Sequence, residues 1–263
     1  MKVLHRTLKQ LDDAIRWDID FHLPPTLIND FQKSIITEVK NVAEITRISR
    51  DPTANPDTSF RYIDISAVSV QFGVIGTVQE LTGDEAPSRA RKVVRAFDLL
   101  VSTVRPTRRS VAIVPPQLDN EIASTGFSVL SPKLDTNPIF LHFALRLSST
   151  SEQFRKWSTG SSYPAILDSD VEKTRIPMPK VEIQDEIARL LIEAANNRVI
   201  SVREIEANWA EEMAKVQSRL LSPGAQDAQI PEETPLSFEN WISDLSTTDE
   251  IHSFRKMLAT ESD

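Results

Sequence analysis

Apolar and polar residues alternate along the chain from Phe60, which is typical of strands with one buried face. Two further apolar stretches, Leu99 to Val104 and Val111 to Val114, flank the segment 105–109, whose sequence is Arg-Pro-Thr-Arg-Arg. This arrangement predicts two strands joined by a basic turn. Because loops between strands often carry ligand contacts, the turn is a candidate binding element.

A different period begins after Pro177 and Pro179. Apolar positions then recur at steps of three and four, with no glycine or proline before Pro223, which predicts one long helix. At about 1.5 Å per residue this helix would extend roughly 57 Å, farther than a domain of this size is wide. The chain offers no second helix of this kind, so we expect the apolar stripe to pair with another chain as a coiled coil. The residues expected in this contact are Ile187, Leu191, Ala194, Val202, Ile205, Trp209, Met213, Val216 and Leu220.

Two shorter signals lie between these regions. Asn137 followed by Pro138 predicts the N-cap and first residue of a helix. The segment Thr159-Gly160-Ser161-Ser162-Tyr163 combines a glycine that tolerates a left-handed turn with hydroxyls and free backbone amides. The segment predicts either a phosphate-binding loop or a simple helix stop, and its spacing alone does not distinguish the two.

Charge is distributed unevenly along the 263 residues. The formal net charge is −8, and nine acids against two bases after residue 221 account for −7 of it, so the rest of the chain is nearly neutral. A basic cluster lies within that neutral part. Such a cluster predicts either contacts to DNA phosphates or an ordinary solvated face. Its members are Arg89, Arg91, Lys92, Arg95, Arg105, Arg108 and Arg109.

Motifs for catalysis and for cofactor or metal binding are missing. The chain has no cysteine, four scattered histidines, and six glycines of which no two have the Gly-x-Gly spacing of a nucleotide loop. Asp168, Asp170 and Glu172 alternate and form a candidate metal cluster, although a surface strand or turn explains them better. The N-terminal residues do not resemble a signal peptide and no apolar run is long enough for a membrane span, so we expect a cytoplasmic protein.

Four segments occur in the order found in a known family. They are Tyr62-Ile63-Asp64-Ile65, Asp98 through Arg105, Gly160 through Ile166, and Ile176-Pro177-Met178-Pro179 through Ile187. The ordered set resembles one target-recognition domain and one conserved helix of the DNA specificity subunit of type I restriction-modification systems. The chain departs from the family's pattern in three places: Ala96-Phe97 stand where a glycine often precedes the aspartate, Ile183 replaces a glutamate, and Pro164 stands near a position that is often polar.

The resemblance implies a subunit that has no enzymatic activity and binds no cofactor itself. In this family the subunit directs an adenine-N6 methyltransferase, which uses S-adenosylmethionine, and often a translocating restriction subunit, to double-stranded DNA. Typical members carry two recognition domains and two helices, whereas this chain has one of each. We therefore expect a homodimer that recognises a bipartite, two-fold symmetric target. Whether the second recognition domain comes from another copy or from a different chain stays open.

Pattern and resemblance together predict an α+β fold, with a twisted, mostly antiparallel sheet and flanking helices followed by one long coiled-coil helix. The expected parts are a recognition domain with its lead-in at 1–180, the long helix at 181–221 and an acidic tail at 222–263. DNA contacts are expected from the basic cluster and from Thr159, Gly160, Ser161, Ser162 and Tyr163. Two other functions stay open: an interaction scaffold whose basic loop binds an acidic protein, and a small metal-dependent nuclease using Asp168 to Glu172.

Overall fold

The structure is a computed structural model that describes residues 5–10, 16, 19–160, 162–219, 245 and 247–260. Ser161, Leu220 and most of the acidic tail lie outside these described residues. The strands are β1 Ile36–Glu38, β2 Ala43–Ile45, β3 Ser59–Ile63, β4 Gln79–Thr82, β5 Ala90–Val93, β6 Leu99–Ser102, β7 Val111–Ile113, β8 Ile122–Ser124, β9 Phe127–Pro132 and β10 Arg175–Pro177. The helices are α1 Ile19–His22, α2 Val39–Val42, α3 Pro138–Leu145, α4 Ser148–Trp157, α5 Asp168–Glu172, α6 Val181–Ser218 and α7 Thr248–Thr260.

The described strands form two four-stranded sheets and one two-stranded ribbon. The first sheet has the order β2-β9-β6-β7, the second has the order β4-β3-β8-β5, and the ribbon pairs β1 with β10. All described pairs of strands are antiparallel except β3 with β8. The predicted α+β fold with mostly antiparallel sheets is therefore confirmed.

Strand β6 separates two hydrophobic cores. Leu99 and Val101 pack into a core shared with helices α3, α4 and the start of α6, whereas Leu100 packs into a second core between the two sheets. Because both faces of β6 are buried, its first three residues are all apolar rather than alternating with polar ones. β7 follows antiparallel to β6, with Leu99 opposite Ile113, as the two apolar stretches predicted.

Helix α3 begins as the sequence predicts. The side-chain oxygen of Asn137 accepts hydrogen bonds from the backbone amides of Ile139 at 2.9 Å and Phe140 at 3.2 Å. Pro138 occupies the first helical position, where its missing N–H costs no hydrogen bond. Nearly every side chain of α3 is buried, so this helix forms the centre of the first core.

The long helix is present as Val181–Ser218 and has 38 residues. Its first three turns pack against the sheet domain through the buried residues Gln184, Ala188 and Ile192. Ile187 and Leu191, which the sequence places in the intermolecular stripe, are half-buried against the same core. The sequence period does not distinguish a face that packs against its own domain from one that meets another chain. No helix among the described residues is long and apolar enough to cross a membrane.

The acidic segment around Asp168 also differs from the sequence-based prediction. Asp168 and Asp170 lie on the short helix α5 rather than on a surface strand or turn. The Asp170 carboxylate accepts a hydrogen bond from the Leu167 amide at 2.8 Å and pairs with Lys173, so it caps the helix. Among the described residues, no three histidine, aspartate or glutamate side chains are grouped to hold a metal ion.

Candidate nucleic-acid interface

The structure brings the basic turn and the Gly160 segment together. The Arg105 amide donates to the Pro164 carbonyl at 2.7 Å, and Ala165 forms bridges with both Val104 and Thr159. The Arg105 guanidinium lies 4.5 Å from the centre of the Tyr163 ring, which is the geometry of a cation–π contact. These two segments begin 54 residues apart in sequence and form one surface. We call it the turn surface: residues 105–109 together with 159, 160, 162 and 163.

Two arginines of the turn have an unusual backbone conformation. Residues 106–108 form a single 3-10 turn, and Arg105 and Arg109 on either side have φ values of 49° and 61°. Left-handed conformations cost a residue with a side chain about 1–2 kcal/mol. Arg108 and Arg109 are exposed and Arg105 is half-buried against Tyr163. The turn therefore presents its guanidinium groups to solvent from a fixed backbone.

The Gly160 segment forms a tight loop. Gly160 has a φ of 93°, so the left-handed turn that its sequence permits is present. Thr159 and Ala165 exchange two backbone hydrogen bonds of 2.9 Å that close the loop. The Tyr163 residue is 69% exposed. Ser161 lies outside the described residues. The loop thus places an aromatic ring and exposed polar groups beside the basic turn.

Arg146 holds this surface to a neighbouring loop, and nothing in the sequence pattern singled it out. Its guanidinium donates hydrogen bonds to the carbonyls of Arg109 at 3.2 Å and Val111 at 3.4 Å, and to those of Val70 and Gln71 at 3.0 Å each. Four carbonyls on one half-buried cation explain why the loop 69–73 lies against the turn. Burial lowers the pKa of Arg146, and the nearby charge of Arg109 lowers it further.

A buried histidine lies beside Arg146. His142 has its ring nitrogen 3.1 Å from the Val111 carbonyl, and burial lowers its pKa to about 4, with the Arg146 charge adding to the effect. Gly73 approaches both side chains with a φ of 70°, and a Cβ there would collide with the Arg146 guanidinium and the His142 ring. Only glycine fits this position, so Gly73 lets loop 69–73 reach the turn surface.

The other half of the basic cluster is arranged differently. Arg91 pairs with Asp51 at 3.5 Å, Lys92 donates to the Phe127 carbonyl at 2.6 Å, and Arg95 pairs with Asp119 at 3.4 Å. Arg95 precedes β6 while Arg105 follows it, so these two residues lie at opposite ends of that strand. The structure therefore does not bring Arg91, Lys92 and Arg95 to the turn surface.

Arg89 is the member of that half with the best access to a ligand. Its side chain is exposed, and its carbonyl accepts a hydrogen bond from the Thr125 amide at 2.8 Å. The next residue, Gly126, accepts from the Thr103 amide at 2.9 Å, two positions before Arg105. Arg89 is thus connected to the turn surface through one short backbone network.

Beyond the recognition domain, helix α6 exposes an apolar face. Among the predicted stripe residues, Ile205 is 67% exposed and Trp209 is 65% exposed. Val202 and Val216 are exposed as well, Ala194 is exposed, and Met213 is half-buried. Leu220 lies outside the described residues. Large apolar side chains spaced along one exposed helix are typical of a contact surface for another helix.

Comparison with known proteins identifies related chains. The family model for the type I restriction modification DNA specificity domain matches residues 29–200. A stretch of 110 residues is 29% identical to the HindI specificity subunit of the type I restriction enzyme from Haemophilus influenzae, covering 41% of this chain and 24% of that protein.

Two solved structures are similar to this chain over most of its length. The HsdS subunit from Thermoanaerobacter tengcongensis is 38% identical with a TM-score of 0.57, over 73% of this chain and 50% of that one. A chain from a structure describing complex assembly and conformational transition of the type I R-M system is 37% identical with the same TM-score, over 73% of this chain and 51% of that one. This chain thus spans about half the length of those relatives.

Proposed function

The chain belongs to the family of type I restriction modification DNA specificity domains, and from that membership we propose that it recognises a specific double-stranded DNA sequence for a type I restriction-modification complex. The observation that carries this proposal is the convergence of the basic turn with the Gly160 loop around Tyr163. Arg105, Arg108 and Arg109 lie on one surface, and the backbone that carries them already forms an ordered turn. Guanidinium groups in this arrangement suit phosphate oxygens and guanine edges.

The chain would contribute recognition rather than chemistry. In our proposal an adenine-N6 methyltransferase subunit binds S-adenosylmethionine and modifies the DNA in the cytoplasm, and a translocating restriction subunit joins some assemblies. The specificity subunit itself binds no cofactor and positions the enzyme at its target. Relatives that are themselves specificity subunits support this division of labour.

We further propose that two copies pair through the distal half of α6. The exposed face that includes Ile205 and Trp209 would meet its counterpart in an isologous contact. Two recognition domains at the ends of paired helices would then bind two-fold symmetric half-sites. Because half-sites on one face of a duplex repeat about every 34 Å, a helix of roughly 57 Å is long enough to span them.

Isolation of the native complex tests the proposal. The chain would be purified with the products of neighbouring genes, and methylated adenines in DNA from cells expressing the complex would be mapped by sequencing. We expect one bipartite motif with two-fold symmetric halves, which disappears when this chain is omitted. Methylation that persists without the chain, or an unchanged motif on its replacement by a related subunit, would refute its role in recognition.

A further inference from the structure

Helix α7 crosses from the start of α6 to the edge of the first sheet. Ile251 is fully buried in the first core, and the Phe254 ring packs edge-on against Phe97 with 6.0 Å between centroids. The Arg255 guanidinium donates to Ser131 Oγ at 2.8 Å and lies 3.4 Å from the buried Asp98 carboxylate. One face of α7 is therefore fixed to the sheet.

The other end of α7 is fixed to α6. The Asp185 carboxylate accepts hydrogen bonds from the amide of Thr248 at 3.1 Å and from its hydroxyl at 2.7 Å. The same oxygen accepts from Asn137 Nδ2 at 2.8 Å. One carboxylate on the second turn of α6 thus joins the beginnings of α3 and α7. α7 therefore contacts both the first sheet and α6, and the sheet and α6 also contact each other.

The sheet residue under α7 is itself unusual. Phe97 is fully buried and has a φ of 66°, a conformation that is unfavourable for any residue with a side chain. Its ring is the surface on which Phe254 rests. A strained conformation persists only where the surrounding structure stabilises it, so we infer that the packing of Phe97 against α7 is a specific contact of the fold.

Because α6 is long, a small change in its direction near the sheet domain would displace its far end by several ångströms. Within α6 the buried side chains are Gln184, Ala188 and Ile192, and from residue 201 onward the side chains are exposed apart from the half-buried Met213. Between these two parts, the Arg198 guanidinium lies 4.0 Å from the centre of the Phe72 ring, so the direction of the distal helix is set between residues 184 and 198. A tilt of about 10° there would move the far end of a roughly 30 Å arm by roughly 5 Å, which is about one and a half times the rise of a base pair.

We propose that α7 is a brace that fixes the direction of α6 relative to the recognition sheet, and that it thereby restricts the target to one spacing between half-sites. This inference rests on the proposed function. The brace acts through the contacts of Phe254, Arg255 and Thr248, and none of these contacts involves the turn surface or the exposed face of α6. Loss of the brace should change spacing while leaving the half-site sequence unchanged.

Distance measurement by pulsed electron spin resonance tests the brace directly. Because the chain has no cysteine, Asp57→Cys on the domain and Glu206→Cys on the arm can be labelled uniquely, and dilution with unlabelled protein limits each dimer to one labelled copy. We expect the distance distribution to widen at least twofold in the Phe254→Ala, Arg255→Ala double variant. A Ser253→Ala, Met257→Ala control changes the exposed face of α7 and should leave the distribution unchanged.

Methylation mapping of the same variants tests the consequence. The brace variant should modify the wild-type half-sites at two or more spacer lengths, whereas the control should keep one. If the double variant does not fold, Arg255→Gln alone should produce a smaller widening. An unchanged distance distribution overturns the brace itself. A wider distribution with a single unchanged spacer overturns its effect on spacing, and a wild-type complex without a bipartite motif overturns the proposed function instead.

Discussion

At the level of single residues, the turn surface is held in advance of any ligand. Arg105 and Arg109 both have left-handed backbones, and each conformation costs about 1–2 kcal/mol. The Pro164 carbonyl accepts from the Arg105 amide, and Arg146 donates to the Arg109 carbonyl, so neighbouring segments offset that cost. A turn ordered before binding loses less entropy when it meets DNA.

Substitution of the turn arginines should reduce discrimination between DNA sequences. We expect Arg105→Ala or Arg108→Ala to weaken binding of the assembled complex to its target by about tenfold or more, because a bidentate contact to a base contributes about 1–3 kcal/mol. Arg89→Ala should weaken binding to target and scrambled duplexes alike and reduce the salt dependence by about one counterion. Fluorescence anisotropy at several salt concentrations measures both effects. An unchanged ratio of target to scrambled affinity in Arg105→Ala would show that another loop recognises the bases.

His142 should make the stability of the fold depend on pH. Its pKa falls from 6.5 in the unfolded chain to about 4 in the folded protein because the ring is buried. The unfolded chain therefore binds a proton first as the pH falls, and the contribution of neutral His142 is complete above pH 6.5 and lost by about pH 4. The shift corresponds to about 3 kcal/mol in the free energy of unfolding.

Urea denaturation of wild type and His142→Gln at pH 7 and pH 4 checks this expectation. Wild type should lose about 3 kcal/mol more than the variant over this range. Asp98 acts in the opposite direction in both proteins, since burial raises its pKa to about 6, so the comparison removes its effect. Equal losses in the two proteins would contradict the assignment to His142.

At the level of elements, the sequence predicted helix α6 but not the division of its faces. Steps of three and four fit both Ile187 with Leu191, which pack against their own domain, and Ile205 with Trp209, which are exposed. The period of a helix records that a face is buried and does not record which molecule covers it. The smaller Ala188, which lies deepest against the core, carries little signal in such a pattern.

Charge on the exposed face of α6 should separate the two copies. Ile205→Asp with Trp209→Asp would place carboxylates in a closely packed helix contact, and we expect the dimer to become a monomer with unchanged circular dichroism. Light scattering coupled to size-exclusion chromatography measures the mass. Glu206→Ala with Glu212→Ala, on exposed positions of the same helix, should leave the dimer intact. A dimer that survives the aspartate substitutions would place the interface elsewhere.

At the level of the whole molecule, the local features were predictable and the distant contacts were not. The β6–β7 hairpin, the cap at Asn137 and the family resemblance all follow from residues close together in sequence. The contact of Arg255 with Asp98 joins residues 157 positions apart, and no period records it. The same reason explains why Arg91, Lys92 and Arg95 looked equivalent to the turn arginines until their acidic and carbonyl partners were placed beside them.

The antiparallel β1–β10 ribbon has a consequence for how new specificities arise. Ile36 lies opposite Pro177, so the backbone enters and leaves the sheet domain at one point, four residues before α6 begins. Folds with adjacent ends tolerate insertion and replacement as intact modules. Recombination that exchanged residues 36–177 for another module closed by the same ribbon would therefore transplant a complete sheet domain in a single genetic event, as long as the new module kept the surfaces that pack against α6 and α7.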